Sequence, residues 1–361
     1  MANENLGNAK KAKNDEFYTQ FSDIQKEMNV YLEYNPDVFR GKTVLLPCDD
    51  PEWSNFTKYF AQNFETLGLK KLISTSYAPD SKPDAIPYQP TLFEMESPGF
   101  DPEKTQTKGK IFTLTHDKTG DNVINVDDLE WSYLEGGGDF RSDEITKLRD
   151  EADIIVTNPP FSLFREFLAW VQQGQKQFLV IGNINCITYK EVFPLIMKNL
   201  IWLGNGMGRW ISGFIVPESY DLYGTEARLE EGLRIVATNN ALWLTNLDHG
   251  RRHSPLSLMT MEDNMRFSKH KEVKGIGYLK YDNYDAIEVP FTDAIPSDYE
   301  GVMGVPISFL DKYNPDQFEI VGCSYEYGRP SFWPRDTKMN PSTNGINVYK
   351  RIFIKHKQVS S

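Results

Sequence analysis

One four-residue stretch, Asn158-Pro159-Pro160-Phe161, carries groups suited to chemistry on an aromatic amine. Asn158 has a side-chain amide oxygen, and the Pro159 carbonyl supplies a second hydrogen-bond acceptor beside it. Two fixed acceptors can hold both N–H bonds of an exocyclic amino group. They would then favour a tetrahedral nitrogen whose lone pair is available for attack. Phe161 would stack on the ring that carries the amine.

The residues just before this stretch predict how it is held. Ile154-Ile155-Val156-Thr157 is apolar and β-branched, as in a central strand of a parallel sheet. Pro159 and Pro160 donate no backbone hydrogen bond, so the chain must leave the sheet at Asn158. The carboxyl ends of strands in open α/β sheets are where ligands bind. The alternative is a strand-ending turn with a buried aromatic, because Asn and Pro commonly end strands.

An earlier strand and turn predict a second part of the same site. Residues 42–47 form an apolar strand, and an acidic turn with Cys48, Asp49 and Asp50 leads into a helix that begins near Asn55. Strand, turn and helix form the first unit of a nucleotide-binding α/β fold, but the glycine fingerprint is missing. Acids disfavour a phosphate. They suit a ligand with an ammonium and hydroxyls, such as the methionine and ribose ends of S-adenosylmethionine.

Two aromatic stretches are further candidates for this ligand. Phe17-Tyr18-Thr19 opens a segment with helical spacing, and its rings are either core anchors or a pocket wall. Taken alone, core packing is the favoured interpretation. Three glycines at 136–138 precede Asp139 and Phe140. These two either hold an adenine, by an acceptor and a stacked ring, or belong to a loop that caps the next helix.

Alternating strands and helices predict the fold class, α/β with a doubly wound, mostly parallel Rossmann-like sheet. Residues 1–250 would form this domain. We interpret residues 78–135 as an insertion that contains a short hairpin near residues 111–114. The predicted strands lie at 70–77, 177–182, 201–204, 234–237 and 242–245, and the predicted helices at 143–151, 162–172 and 189–198. From about residue 250 the sequence turns basic and aromatic, which predicts a smaller second domain, 251–361.

Charge distribution separates the two parts of the chain. The net charge is −12, and residues 80–153 account for −10 of it, with 18 acidic and 8 basic side chains. Residues 250–280 carry seven Lys or Arg against three acids, and residues 349–357 carry four against none. These two runs are either solvated faces or the contact surface for a polyanion.

Cysteines and apolar runs indicate the compartment. Cys48, Cys186 and Cys323 are far apart and odd in number, so neither a disulfide framework nor a metal site is expected. Residues 1–13 are polar, and no run approaches the ~20 apolar residues of a membrane span. We therefore expect a soluble, cytoplasmic protein.

An ordered set of motifs resembles the EcoRI-type adenine-specific DNA methyltransferases. It covers most of residues 10–250, and as a set it is more specific than any single member. After residue 250 the similarity is less distinctive, seen mainly at 304–313 and 349–354. The motifs are a Lys-rich start with residues 15–20, the turn at 48–51 with Ser54-Asn55-Phe56, Gly138-Asp139-Phe140, Asn158-Pro159-Pro160-Phe161, residues 183–190, and Thr245-Asn246-Leu247-Asp248.

The resemblance implies an S-adenosylmethionine-dependent enzyme that methylates adenine N6 in double-stranded DNA. We expect a monomer whose activity does not require a restriction enzyme, whether or not one is paired with it. The target base would rotate out of the duplex to reach Asn158. Asn158, Pro159, Pro160 and Phe161 would be catalytic. The implied cofactor residues are Phe17, Tyr18, Thr19, Asp49, Asp50, Asn55, Asp139 and Phe140. Phosphate contacts are expected from the second domain, at Arg251, Arg252, Lys269, Lys271 and Arg351.

Departures and alternatives accompany the resemblance. The first turn lacks Gly-x-Gly, and the second strand, which ends at Ser76-Tyr77, offers no acid for ribose hydroxyls. A cytosine-5 enzyme would need a cysteine nucleophile, and Cys48 lies in the cofactor turn instead. Methylation of RNA adenine or of a protein glutamine would use the same Asn-Pro-Pro-Phe stretch. A non-catalytic DNA-binding relative is the alternative of a different class, and the intact Asn158 disfavours it.

Overall fold

The computed structural model describes residues 18–49, 54–78, 95, 99–207, 211–216, 227–230, 232–236, 240–329 and 340–357. The chain divides into two compact units. The first unit contains residues 1–184 and 206–247, and the second contains residues 185–205 and 248–361. The second unit thus includes a segment, 185–205, that precedes the boundary expected near residue 250.

The helices, in chain order, have these bounds: α1 Phe21–Tyr34, α2 Asn55–Gln62, α3 Phe64–Leu67, α4 Lys104–Thr107, α5 Asp143–Glu151, α6 Phe164–Gln173, α7 Phe193–Met197 and α8 Met261–Phe267. Ser54 caps α2, where its hydroxyl accepts from the Phe56 N–H at 3.1 Å. Ser142 caps α5 in the same way. The helix predicted at 189–198 is shorter than expected, because residues 190–192 form turns and the helix begins only at Phe193.

The strands of the first unit and its border have these bounds: β1 Tyr18–Thr19, β2 Thr43–Leu46, β3 Lys71–Ser76, β4 Lys110–Leu114, β5 Glu130–Tyr133, β6 Ile154–Thr157, β7 Gln177–Asn183, β8 Trp202–Met207, β9 Phe214–Val216, β10 Arg228–Glu230, β11 Leu233–Val236 and β12 Ala241–Thr245. Eight of them form one sheet in the order β5-β4-β3-β2-β6-β7-β12-β8.

The large sheet is mixed, with a parallel centre. β3, β2, β6 and β7 run parallel to one another, with β6 between β2 and β7. All four residues of β6 are buried, which confirms the predicted central strand. β4, β5 and β12 pair antiparallel with their neighbours, so the expectation of a mostly parallel sheet was too strong. Residues 110–133 of the predicted insertion form β4 and β5 and so extend the main sheet.

A second sheet of the first unit was not predicted. It has the order β1-β9-β11-β10, with antiparallel pairing throughout. The run at 234–237 was expected to close the main sheet, and this was wrong, because β11 lies in the second sheet. Its burial explains the difference. β12 is buried at every residue, as a strand inside a covered sheet must be, whereas β11 is buried only at Ile235.

One hydrophobic core lies on the large sheet of the first unit. Val44, Ile154 and Val156 contribute from neighbouring strands, and Trp243 from β12. α1 adds further apolar side chains at helical spacing, Ile24, Met28 and Tyr31, and all three are fully buried. The core therefore fixes the positions of the strand ends at which the predicted site lies.

The second unit has its own strands: β13 Ile287–Glu288, β14 Met303–Val305, β15 Phe318–Cys323, β16 Ser342–Thr343, β17 Ile346–Asn347 and β18 Ile352–His356. Four form a sheet in the order β13-β14-β18-β15, and β16 and β17 form a hairpin. Phe353 and Tyr284 lie in a small hydrophobic cluster of this unit. Among the described residues, no helix has the length and apolar character needed to span a membrane.

Candidate active site

The Asn158-Pro159-Pro160-Phe161 stretch leaves the large sheet where β6 ends. Thr157 is the last residue of the strand, and the Pro160 carbonyl accepts from the Leu163 N–H at 3.0 Å as a 3₁₀ turn begins. Asn158 is half-buried. Its side-chain oxygen is buried and accepts no hydrogen bond within the described part of the chain, while other atoms of the residue do interact. An amide acceptor therefore lies at the carboxyl end of the central strand.

Asp49 lies in the turn that follows β2 and connects this turn to the Asn158-Pro159-Pro160-Phe161 stretch. The Thr157 hydroxyl donates to Asp49 Oδ2 at 2.6 Å, and the Ser54 hydroxyl donates to Oδ1 at 2.7 Å. The Asp49 N–H donates to the Thr75 carbonyl at 3.2 Å, which ties the turn to β3 as well. Asp49 is only 6% exposed. The ends of β2, β3 and β6 are thus fixed around one buried carboxylate.

Thr19 joins the same region through α2. The Asn55 side-chain amide donates to the Thr19 carbonyl at 2.8 Å. The Thr19 hydroxyl is buried and has no hydrogen-bond partner among the described residues. A buried hydroxyl without a partner is costly, and a ligand group could satisfy it. Tyr18 and Thr19 form β1, so the helix-spaced segment expected to start at residue 15 begins as a helix only at Phe21.

Phe161 brings the Asn158 stretch and β1 into one neighbourhood. Its ring lies edge-on to Phe214, with centroids 6.2 Å apart and planes at 74°. Phe214 is the residue of β9 that pairs with Thr19. The structure therefore places together four sequence-predicted positions, namely Thr19, Asn55, Phe161 and the Asp49 turn.

The glycine loop packs directly against the end of β3. The Ala78 N–H donates to the Gly137 carbonyl at 2.9 Å. Gly138 has φ +84°, and a Cβ there would collide with the Ser76 carbonyl oxygen. No other residue type fits such a close approach with a left-handed backbone. The loop thus fixes Asp139 beside the strand ends.

Asp139 is held in its ionised form. Arg141 binds it through Nη2 at 2.6 Å and Nε at 2.9 Å, and these hydrogen bonds lower the pKa of the carboxyl group despite partial burial. The Tyr77 hydroxyl also hydrogen-bonds to it. Arg141 in turn pairs with Glu166 at 2.9 Å. Asp139 therefore lies at a strand end as an ionised carboxylate, with Arg141 bound to both of its oxygens.

Phe140 lies in a different environment from its neighbour. It is fully buried, and its ring packs edge-on against Phe167 and Trp170, with centroids 5.2 and 5.7 Å away. The structure thus gives the ring a core role and gives the following residues the role of a helix cap. Stacking of Phe140 on an adenine finds no support in this packing.

Cys48 is unsuited to be a nucleophile. Burial, and then the neighbouring Asp49 carboxylate, raise the pKa of its thiol well above the usual range. The thiol therefore stays protonated at neutral pH, and a protonated thiol is a poor nucleophile. This supports the rejection of a cytosine-5 mechanism.

Three residues of the site were not identified from the sequence, namely Thr157, Ser54 and Arg141. Each donates a hydrogen bond, and each lies within two residues of a predicted site residue in the sequence. For Thr157 the available signal was a hydroxyl at the end of a buried strand, and for Ser54 it was a hydroxyl at a helix cap.

Phe17 and Asp50 lie outside the described residues. Within the described residues, no group of three or more His, Cys, Asp or Glu could hold a metal ion.

Of the five basic residues predicted to contact phosphates, four form ion pairs with acidic residues of the second unit. Arg252 and Arg351 are 9% and 7% exposed and have partners inside the second unit. Arg252 pairs with Asp248 at 3.1 Å and lies 3.5 Å above the Trp202 ring, while Arg351 pairs with Glu288. Arg251 also pairs, with Asp311 at 2.8 Å. Lys269 and Lys271 are exposed, and Lys269 pairs with Asp293 at 2.7 Å.

Comparison with known protein families identifies the family of this chain. The sequence model of one family, described as adenine-specific methyltransferase EcoRI, matches residues 5–357. This chain belongs to that family. The match covers the region after residue 250, where the sequence resemblance was less distinctive, and it confirms the resemblance drawn from the motifs.

Three relatives agree with the family match. The type II methyltransferase M.EcoRI of Escherichia coli is 46% identical over 99% of this chain and 98% of its own length. M.MpnI of Mycoplasma pneumoniae is 34% identical over 87% of this chain and 84% of its own length. M.MgeORF184P of Mycoplasma genitalium is 34% identical over 97% of this chain and 98% of its own length. No solved structure matches this chain.

Proposed function

We propose that the protein is a site-specific DNA methyltransferase that transfers a methyl group from S-adenosylmethionine to N6 of adenine. Family membership supports adenine as the target, and the relatives' type II names support DNA as the substrate. The observation that carries the proposal is the hydrogen bond between Thr157 and Asp49. It joins the acceptor at Asn158 to the first turn of the sheet, so a target amine and a cofactor would meet at neighbouring strand ends.

The Asn158 stretch would bind the target amine. The Asn158 side-chain oxygen and the Pro159 carbonyl would accept its two N–H bonds and leave the nitrogen lone pair directed away from the ring. Phe161 would contact the face of the base, with Phe214 behind it. An adenine inside a duplex cannot reach a half-buried amide, so we propose that it rotates out, at a cost of a few kcal/mol.

The residues around Asp49 fit S-adenosylmethionine. When bound, this cofactor supplies an electrophilic methyl group on a sulfonium. The Thr19 hydroxyl, which has no partner within the described part of the chain, is a donor and acceptor for one of the cofactor's polar groups. Asp49 and Asp139 present carboxylates, and Asn55 keeps β1 against the first turn. Tyr18 belongs to the same proposed set, as do Phe17 and Asp50 outside the described residues. Phe140 would act by positioning Asp139.

Finer features of the fold belong to the same proposal. The parallel centre β3-β2-β6-β7 supports a doubly wound, Rossmann-like arrangement.

We propose that the second unit recognises the DNA target and that the enzyme acts as a monomer without a partner endonuclease. Arg251, Lys269 and Lys271 remain candidates for phosphate contact in that unit. The internal partners of Arg252 and Arg351 favour a structural role for these two.

The direct test is transfer of a labelled methyl group. Purified protein is incubated with labelled S-adenosylmethionine and with duplex DNA, RNA or protein in separate reactions, and the products are digested and separated. The proposal predicts label in N6-methyladenine from duplex DNA, at a defined sequence. Label in RNA adenine or in glutamine, with none in DNA, would assign a different substrate. Binding of DNA without any transfer would identify a non-catalytic relative.

A further inference from the structure

Four exposed apolar side chains lie in the second unit, on α8 and the segment after it. The described residues expose thirteen large hydrophobic side chains, and four of them lie within residues 265–279. Phe267 is 67% exposed and Ile276 is 61% exposed, with Met265 and Leu279 beside them in sequence. Apolar side chains clustered on a surface usually mark a binding site.

Hydrogen bonds hold this segment in a fixed shape. Thr260 caps α8, since its hydroxyl accepts from the Asp263 N–H at 3.1 Å. The Gly275 N–H donates to the Met265 carbonyl at 2.9 Å, and a Cβ on Gly277 would lie 3.5 Å from the Met265 sulfur. The turn that carries Ile276 therefore lies against α8, and Val273 is fully buried beneath it.

The stretch between Phe267 and Ile276 is fixed as well. The His270 ring stacks on Phe291, with centroids 3.7 Å apart and planes at 6°, and its Nε2 lies 2.7 Å from Asp293 Oδ1. Lys269 pairs with the other oxygen of Asp293 at 2.7 Å. His270 anchors the chain between two lysines, so the exposed side chains are presented on a rigid support.

The charges of this segment favour an anionic partner. Residues 266–274 contain four Lys or Arg and one acid, in a chain whose net charge is −12. Arg266 pairs with Glu262, and Lys269 pairs with Asp293. Lys271 and Lys274 are exposed, and neither forms an ion pair with a described residue. Two uncompensated cations thus lie in the same segment as Phe267 and Ile276.

We propose that this basic-apolar surface, defined by Phe267, Lys271, Lys274 and Ile276, binds duplex DNA. Lys271 and Lys274 would contact phosphates, and Phe267 and Ile276 would enter a groove and pack against sugars and base edges or between base steps. DNA offers anionic and apolar surface side by side. A second copy of this chain fits less well, because a two-fold interface would bring the same lysines together. The inference rests on the proposed function.

The lysines are tested through the salt dependence of DNA affinity. Lys271→Ala/Lys274→Ala is compared with Lys70→Ala/Lys147→Ala, a control in which two exposed lysines of the first unit are removed. Each lost phosphate contact lowers the slope of log affinity against log salt by about 0.9. We expect a slope reduced by about two in the first variant and an unchanged slope in the control. Equal slopes in both variants would overturn the phosphate contacts.

The apolar side chains are tested separately. Phe267→Ala is compared with Leu229→Ala, whose side chain is equally exposed at 67% but lies in the first unit. We expect Phe267→Ala to weaken duplex binding roughly ten-fold, or about 1.4 kcal/mol, with an unchanged salt slope. Leu229→Ala should bind as wild type. Equal affinities of the two variants would overturn the apolar contact.

Two further measurements separate the possible outcomes. Sedimentation of the free protein shows whether Phe267→Ala abolishes a dimer, and a dimer lost without a change in DNA affinity would make this surface an interface between copies. Cofactor affinity of each variant shows that the first unit is intact. Failure of the proposed function would appear as wild-type protein that leaves duplex DNA unmethylated. A methylating wild type with insensitive variants would refute this surface alone.

Discussion

The Thr157 hydroxyl donates a 2.6 Å hydrogen bond to Asp49 Oδ2 across 108 positions of the chain. Thr157 directly precedes Asn158, and Asp49 ends the turn after β2, so one contact sets the distance between the two halves of the proposed site. Both residues are buried, where a lost partner is not replaced by water. The relative position of target amine and cofactor therefore depends on this pair.

Thr157→Val should weaken this link while it preserves the shape of the side chain. The valine leaves one oxygen of a buried carboxylate without its donor, at a cost of about 1–3 kcal/mol. We expect a lower midpoint of urea unfolding and weaker cofactor binding by titration calorimetry. Thr157→Ser keeps the hydroxyl and should recover most of both. Equal behaviour of the valine and serine variants would show that the hydrogen bond does not matter.

Asn158→Ala should abolish methyl transfer and leave cofactor binding intact. The substitution removes the amide oxygen proposed to accept from the target amine, and it leaves Asp49 and Thr157 in place. Transfer to duplex DNA is measured with labelled cofactor, and cofactor affinity by calorimetry on the same preparation. Wild-type transfer rates in the variant would refute the catalytic role of Asn158.

Gly138→Ala and Gly232→Ala form a matched pair at the glycine loop. Both glycines have a left-handed backbone, with φ +84° and +83°, but a Cβ at position 232 meets no atom within 4 Å. Each alanine costs about 1–2 kcal/mol for its backbone conformation. Only Gly138→Ala also drives a methyl group into the Ser76 carbonyl. We expect a larger loss of stability, and loss of cofactor affinity, for that variant alone.

The parts of the site that were predictable are those set by local sequence. An apolar run followed by two prolines was sufficient to predict β6 and its end at Asn158. The helix predicted at 143–151 is confirmed as α5, with the same bounds. In each case the residues that determine the element lie within it or next to it.

The parts that were missed depend on distant partners. The pairing of Thr157 with Asp49 requires the sheet register to be known. The core role of Phe140 depends on Phe167 and Trp170, one helix further along the chain. Composition likewise indicates that residues 250–280 are basic, but it cannot indicate that Arg252 is paired with Asp248 inside the unit.

Arg351→Ala should reduce stability and leave the salt dependence of DNA binding unchanged. The side chains of Arg351 and Glu288 are 9% and 11% exposed, so the substitution leaves a buried carboxylate without its cation. Removal of one partner of a buried ion pair costs about 3–5 kcal/mol. The unfolding midpoint tests the first expectation and a salt titration of DNA affinity tests the second. A reduced slope with normal stability would return Arg351 to the DNA contact set.

Asp128 should make the stability of the 117–128 loop sensitive to acid. Its carboxylate accepts from the N–H groups of Thr119, Asn125 and Lys118 at 2.9 to 3.0 Å. These hydrogen bonds lower the pKa of the carboxyl group from 3.8 to about 2, and the hydrogen bond from Thr119 has the largest effect. Because the pKa is lower in the folded state, the stabilisation is present above pH 3.8 and is lost as the pH falls towards 2.

Asp128→Asn should therefore lower the midpoint of thermal unfolding at pH 6, and the difference from wild type should shrink as the pH falls below 4. Asp127→Asn, an exposed neighbour, controls for the loss of one negative charge. Calorimetry between pH 3 and pH 6 gives the midpoints. A difference between wild type and Asp128→Asn that stayed constant over this range would show that the backbone hydrogen bonds do not depend on the charge of Asp128.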